Sequence, residues 1–255
     1  MSKVESIIMI EELSMNAWPS LQTVLYDGWI LRFSGGYTRR ANSVNLLYEG
    51  RLDVNEKISE CERLYFGKHL DPVFKMTSAS FPKELDDVLS KSGYHYQGET
   101  SLHVLDLDRN EAVTRLSEES VSLSDDASDE WLTSFCEMNA INDSKKQIAR
   151  QMLKNTIPKK CAASISDDQG KIVSCGLAVL QSGYVGLFDI VTRKEYRRRG
   201  LARKLTLALL EWARQNYAHS AYLQVVVGND SALNLYRSLG FVERYRYWYR
   251  VKELV

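Results

Sequence analysis

The sequence predicts an α/β (α+β) protein, with a mixed, mostly antiparallel twisted sheet flanked by helices and preceded by a smaller α+β half-domain. Short runs rich in β-branched and aromatic residues, bounded by Asp-Gly or Gly-Gly punctuation, recur along the chain as strands. Helical periods separate them. The order strand, helix, strand, short helix, Gly-aromatic, strand also occurs twice, so one plan is used two times.

At 255 residues with 44% apolar content, the chain has room for two cores. Lys and Arg total 33 and Asp and Glu total 33, so no whole-protein field draws it to nucleic acid or an anionic membrane. The cysteines, Cys61, Cys136, Cys161 and Cys175, make no C-x-x-C pair and read as buried thiols of a reducing cytosol. His69, His95, His103 and His219 fall in no ligand spacing, so no metal site is expected. Ile7-Ile8-Met9-Ile10 is too short for a signal core or a membrane span, and a cytoplasmic protein is expected.

In chain order, residues 4–16 suit an amphipathic helix ending before Trp18-Pro19. Thr23 to Tyr26 and Trp29 to Phe33 flank Asp27-Gly28, a hairpin signal. Tyr37, Arg39, Arg40 and Asn42 then form a polar patch able to hold an anion or a substrate carboxylate, ahead of a strand over 43–48. The same arginines could equally be structural, pairing with carboxylates. Asp53 is placed to cap a helix to Phe66, residues 72–76 read as a strand, and Ser80 and Pro82 predict a helix over 82–90 stopped at Gly93. Residues 94–107 supply a strand or a pair of strands.

The polar stretch 108–129 is the best boundary candidate, dividing the chain into 1–112 and 113–255. Helices follow at 131–138 and 144–155, then strands at 161–166 and 172–181 joined by Asp167-Asp168-Gln169-Gly170, and a strand at 184–192. A helix from Leu201 to about 217, a strand at 221–227, a helix at 232–238 ended by Gly240 and a terminal strand pair over 241–251 complete the reading.

The chemistry concentrates where the strand 184–192 passes through Arg193 to Arg199 and Gly200 into a helix. Amides from about Arg198 to Arg203 can converge on a phosphate at the positive end of that helix, and Gly200 permits close approach. Arg197-x-x-Gly200-x-Ala202 after a strand, followed by Asn229-x-x-Ala232-x-x-Leu235-Tyr236-x-x-x-Gly240-Phe241, closely resembles the GNAT superfamily of N-acetyltransferases over roughly residues 118–251.

That resemblance implies the GNAT fold and acetyl-CoA as acyl donor. Backbone groups of Ile190, Val191 and Thr192 would pair with pantetheine. Arg197, Arg198, Arg199, Gly200, Leu201, Ala202 and Arg203 would form the pyrophosphate loop. Asn229 and Ala232 would meet the cofactor arm, and Tyr236 would protonate the departing sulfur. Asp189 is the carboxylate nearest the expected reacting centre. Lys194, where relatives often carry proline, and Arg198, where they often carry glycine, depart from the pattern.

The first half can be overlaid through Leu85-x-x-x-Leu89-x-x-x-Gly93-Tyr94 but lacks R-x-x-G-x-A, starts its long helix with Asp53 and carries Leu89 in the tyrosine position. It resembles a degenerate GNAT-like half of a two-part bacterial protein. The expected activity is direct transfer to a primary amine of a small molecule or peptide in a ternary complex, by a monomer or homodimer. An acyl-CoA-binding sensor without turnover is the alternative.

Overall fold

The computed structural model describes residues 3–109 and 121–254. The chain forms two compact units, one of residues 1–101 with 245–255 and one of residues 102–244. The expected boundary at 112/113 lies outside the described residues. The segment from Tyr245 groups with the N-terminal unit because its strand pairs there.

The N-terminal unit begins with helix α1 (Lys3–Ala17) and the hairpin β1 (Gln22–Tyr26) and β2 (Trp29–Phe33), closed by Tyr26 opposite Trp29. Asp27 and Gly28 both have positive φ, 41° and 83°, the twist a two-residue hairpin turn requires. Strand β3 is only Val44–Asn45, antiparallel to β2 and parallel to β4 (Val73–Thr77). It is shorter than expected because its pairing with β2 and β4 ends at Asn45.

Helix α2 (Val54–Phe66) is capped as expected by Asp53, whose side chain accepts from the Asn55 and Glu56 amides. Helix α3 (Leu85–Lys91) starts later than expected, since the Ser80 hydroxyl accepts from the Thr77 amide and caps no helix. Trp29, Leu31, Phe33, Tyr65, Phe74 and Leu89 form the core of this unit, each large side chain contributing roughly 1.5–3 kcal/mol on burial.

Strand β5 (His95–Asp106) leads into the second unit. There β6 (Ser122–Ser124) pairs with β7 (Lys159–Ser166), so the expected linker contains a strand. Its three residues are too few for a legible period. Helices α4 (Asp129–Met138) and α5 (Asp143–Asn155) are capped by the Ser128 and Asn142 side chains. Strands β7, β8 (Ile172–Gln181) and β9 (Tyr184–Thr192) run antiparallel in series, and β9 is parallel to β10 (Ser220–Val226).

Helix α6 (Leu201–Gln215) joins β9 to β10, and α7 (Asp230–Ser238) follows β10. Leu205, Leu209, Leu210 and Ala213 of α6 pack on Ala163, Val185, Leu187 and Leu223 of the sheet. The terminal segment is one strand, β11 (Val242–Val251), rather than a pair, because no turn residue interrupts it; Tyr247 to Val251 pairs with β4.

The two units repeat one plan, a hairpin, a strand antiparallel to it, a helix, a parallel strand and a short helix. Both short helices end alike: Tyr94 donates its amide to Leu89 O and Phe241 donates to Tyr236 O, each at 3.0 Å. No helix among the described residues is long and apolar enough to cross a membrane.

At the N-terminus of α2, the Asp27 carboxylate accepts from the amides of Arg51 and Leu52 at 2.8–2.9 Å and faces Lys57 Nζ at 3.1 Å. These amides, with help from Lys57, hold the Asp27 carboxyl down at about 2. A depressed carboxylate stabilises the fold above its unfolded value, and that contribution disappears as pH falls toward 2. Asp27→Asn keeps a residue that tolerates the left-handed turn. It should therefore lower the melting temperature at neutral pH, and the gap from wild type should close on titration from about pH 4 to about pH 2.

Candidate active site

The site is built where β9 leaves β10. Their parallel pairing runs from Tyr184 opposite Ser220 to Leu187 opposite Leu223 and stops there. Beyond it, β9 bulges against β8: Leu177 faces Phe188 and Cys175 faces Val191, so Asp189 and Ile190 together stand opposite Gly176. Asp189 takes the extra turn at φ 55°. A Cβ on Gly176 would come within 2.5 Å of Leu205 Cδ2 and 3.0 Å of Ile190, so glycine leaves room for the Leu205 and Ile190 side chains to pack against the bulge.

Asp189 is half-buried, and its charge reaches the thiols of Cys175 and Cys136. Ile190 packs on the core beside Leu201, and Thr192 is fixed by the Ser174 hydroxyl at 2.8 Å. The main chain of residues 188–192 faces β8 on one side and the gap left by β10 on the other.

A short 3-10 turn, Lys194–Tyr196, then carries the chain to α6. Tyr196 Oη donates to Asp167 in the β7–β8 turn at 3.0 Å, and the Arg199 guanidinium lies 5.0 Å over the Tyr196 ring. Arg199 also donates to Glu195 O, and Arg197 Nε donates to Thr192 O at 3.2 Å. The two residues therefore brace the loop, while their side chains and that of Arg198 stay exposed. Arg198 has φ 61°, a left-handed conformation that costs a non-glycine residue roughly 1–2 kcal/mol, which is why glycine suits this position.

Gly200 is the N-cap of α6, at φ 78°, and no side chain caps the helix. The first intrahelical bond runs from the Lys204 amide to Gly200 O, leaving the Leu201, Ala202 and Arg203 amides at the uncapped end. A Cβ on Gly200 would meet nothing within 4 Å, so the space beside the N-cap is open. No acidic residue lies in the first turn. The contrast with α2 is direct: there Asp53 and Asp27 engage the helix start, and a Cβ on Gly50 would collide with the Asp27 carboxylate.

β9 and β10 are parallel, so α6 and α7 both depart from the carboxyl ends of neighbouring strands, where a crevice forms. Asn229 caps α7, its Oδ1 accepting from the Ala232 amide at 3.2 Å, and Ala232 packs on the core. Arg203 reaches from α6 to the Ser238 hydroxyl of α7 at 3.4 Å. Tyr236 is 8% exposed, edge-on to Phe241 at 5.8 Å, and burial pushes its phenol up to about 12.

Tyr37, Arg39, Arg40 and Asn42 lie in the N-terminal unit around a 3-10 turn, Arg39–Ala41. Asn42 is buried, its Oδ1 accepting from the Ser34 and Gly36 amides and its Nδ2 donating to Thr38 O, so it holds the loop. Arg39 donates to Gln97 and stands 5.9 Å over the Tyr249 ring, and Arg40 lies 5.6 Å over Trp18, itself against Tyr37. The buried arginine of this region is Arg32, which donates to the carbonyls of Met15, Trp18 and Arg40. Nothing in the sequence marked it, because its partners are backbone oxygens brought together by the fold.

A bulged strand parting from a parallel neighbour, with an uncapped helix start at the opening, fits a GNAT-type fold. The chain belongs to the family described as "Probable histone acetyltransferase Rv0428c C-terminal", which it matches over residues 5–250. It is 28% identical over 256 residues to "Uncharacterized N-acetyltransferase YobR" of Bacillus subtilis, covering 98% of this chain and all of that one (100%). In fold it is similar to a GCN5-related N-acetyltransferase from Kribbella flavida, with a TM-score of 0.70 at 15% identity over 97% of this chain and 96% of that one. It is also similar to a tandem GNAT protein from the clavulanic acid biosynthesis pathway, with a TM-score of 0.67 at 16% identity over 96% and 87% of the two chains.

Because the Asn229 side chain closes the first turn of α7, Asn229→Ala should cost about 1 kcal/mol of stability, read by denaturant unfolding. Asn229→Asp, which preserves the cap, should restore most of it.

Proposed function

We propose that the protein transfers an acetyl group from acetyl-CoA to a primary amine of a small molecule or peptide by direct attack in a ternary complex in the cytoplasm. The observation that carries this reading is the open, glycine-led and uncapped start of α6 beside the gap between β9 and β10. Acetyl-CoA supplies the activated thioester. Amides of Arg198 to Arg203 take its pyrophosphate, with Arg197, Arg198 and Arg203 adding charge and Arg199 bracing the loop. The main chain of Ile190, Val191 and Thr192 pairs with the pantetheine arm as an added strand, and Asn229 and Ala232 line the same end of the sheet.

Asp189 receives a proton from the attacking amine as the nitrogen–carbon bond forms. Tyr236 donates its phenolic proton to sulfur as the carbon–sulfur bond breaks. The thiols of Cys61, Cys136, Cys161 and Cys175 are buried, and burial raises them all, so none is poised as a nucleophile for an acyl-enzyme. Tyr37, Arg39 and Arg40 offer a cationic and aromatic patch for an anionic group of the acceptor, with Asn42 holding their loop.

Gly200→Asp places a negative side chain at the open N-terminus of α6, in a left-handed backbone that costs a non-glycine residue roughly 1–2 kcal/mol. It should abolish acetyl-CoA binding by calorimetry while the melting temperature falls only by that strain and the chain stays folded; undiminished affinity would refute the assignment of the loop.

Tyr236→Phe should lower kcat in a thiol-release assay over an amine panel by roughly a hundredfold, with donor affinity retained. Since the phenol stays protonated until about pH 12, the wild-type rate should show no alkaline loss from this group below about pH 10. Donor binding without turnover on any amine, unchanged in Tyr236→Phe, would instead make the protein an acyl-CoA sensor.

A further inference from the structure

We propose that the outer edge of β1 is a self-pairing surface, joining two copies of the chain into an isologous dimer through an antiparallel β1–β1 ladder. β1 is the terminal strand of its sheet, and its sequence, Gln22-Thr23-Val24-Leu25-Tyr26, has no charge, proline or glycine. Such residues are the usual protection of an edge. Leu25 is 78% exposed and Val24 40% exposed. β6, the edge strand of the other unit, has only three residues and is followed by Asp125 and Asp126.

The register against β2 sets what the edge offers. Tyr26 opposite Trp29 closes a two-residue hairpin and is therefore a hydrogen-bonded pair, so Gln22, Val24 and Tyr26 direct their main-chain groups toward β2. Thr23 and Leu25 direct theirs outward. A twofold axis through Val24 puts Thr23 of each copy opposite Leu25 of the other, so that every outward donor meets an outward acceptor.

The second support is charge. Gln22, Val24 and Tyr26 share the face that α2 covers. Lys57 ties the start of α2 to Asp27, and Lys68, just past its end, donates to Gln22 Oε1 at 2.9 Å, so α2 runs opposite to β1. A groove lined by Tyr26, Asn55, Glu56, Ser59, Glu60 and Arg63 flanks the Tyr26 end, where Glu60 also binds Arg63. Antiparallel self-pairing sets the Gln22 end of one copy, with Lys68, against the Glu56 and Glu60 end of the other. Parallel pairing would set like against like. The edge is thus complementary to itself in one orientation, as a closed twofold contact requires.

Sedimentation equilibrium of the full chain over a wide concentration range tests this. The wild type should show a monomer–dimer equilibrium. Leu25→Pro removes one outward amide and leaves the bonds to β2 intact, and it should weaken the dimer by about tenfold or more. Leu25→Lys is the check should proline perturb the hairpin, and far-UV circular dichroism and melting temperature confirm folding. Lys68→Glu and Glu60→Lys should each favour monomer alone and recover dimer when mixed. A strictly monomeric wild type would overturn the proposal, as would a dimer indifferent to all of these variants. A monomer whose Thr23 and Leu25 amides are protected from exchange only by an added extended peptide would assign the edge to a partner strand and also overturn it.

Discussion

The bulge of β9 is the constraint on which the second unit depends. A parallel pair would hold β9 and β10 together along their length, but pairing ends at Leu187 and Leu223, immediately before Asp189 enters the left-handed region. The extra residue turns the strand and raises its local twist. Gly176 helps from the other side, since a Cβ there would crowd the Leu205 side chain through which α6 packs on the sheet. With α6 held close, its uncapped start opens directly at the gap. The chain leaves main-chain donors exposed there, and the braces that shape the loop, Tyr196 to Asp167 and Arg199 over Tyr196, act from its back.

The N-terminal unit shows the same construction closed by its own residues. Its hairpin, short β3, parallel β4, α2 and α3 follow the order of β7 to α7. Where α6 begins with an uncapped glycine, α2 begins with Asp53 as cap and with Asp27 drawn onto the Arg51 and Leu52 amides. An internal carboxylate thus satisfies the helix start that an external anion would otherwise satisfy. Leu89, fully buried, takes the place that Tyr236 holds in the second unit. One plan has its helix start closed in one unit and open in the other, and the difference is carried by a handful of polar groups.

Much of this was legible from local sequence because local chemistry decides it. Asp27-Gly28 fixed a hairpin, Asp53 a cap, Gly240 a helix end, and the Arg197 to Ala202 loop with the Asn229 to Phe241 segment pointed to a GNAT fold. What escaped depends on distant contacts. β6 is a strand only because β7 offers it a partner, and β3 is short because its pairing with β2 and β4 ends at Asn45. The pairing of β11 with β4 joins residues far apart in sequence. Asp27 reads as an ordinary turn residue until the fold brings the α2 start to it. Asn42, read as part of a binding patch, is occupied by its own loop. The bulge at Asp189 left no trace in a strand pattern that runs unbroken from Tyr184 to Thr192.

The most direct measurement is a crystal structure of the full chain soaked with CoA at saturating concentration. Pyrophosphate density on the amides of residues 198–203, with none at the start of α2 and Asp27 still on the Arg51 and Leu52 amides, is the expected result. Pyrophosphate bound at α2 with Asp27 displaced, or CoA bound away from the α6 N-terminus, would contradict it.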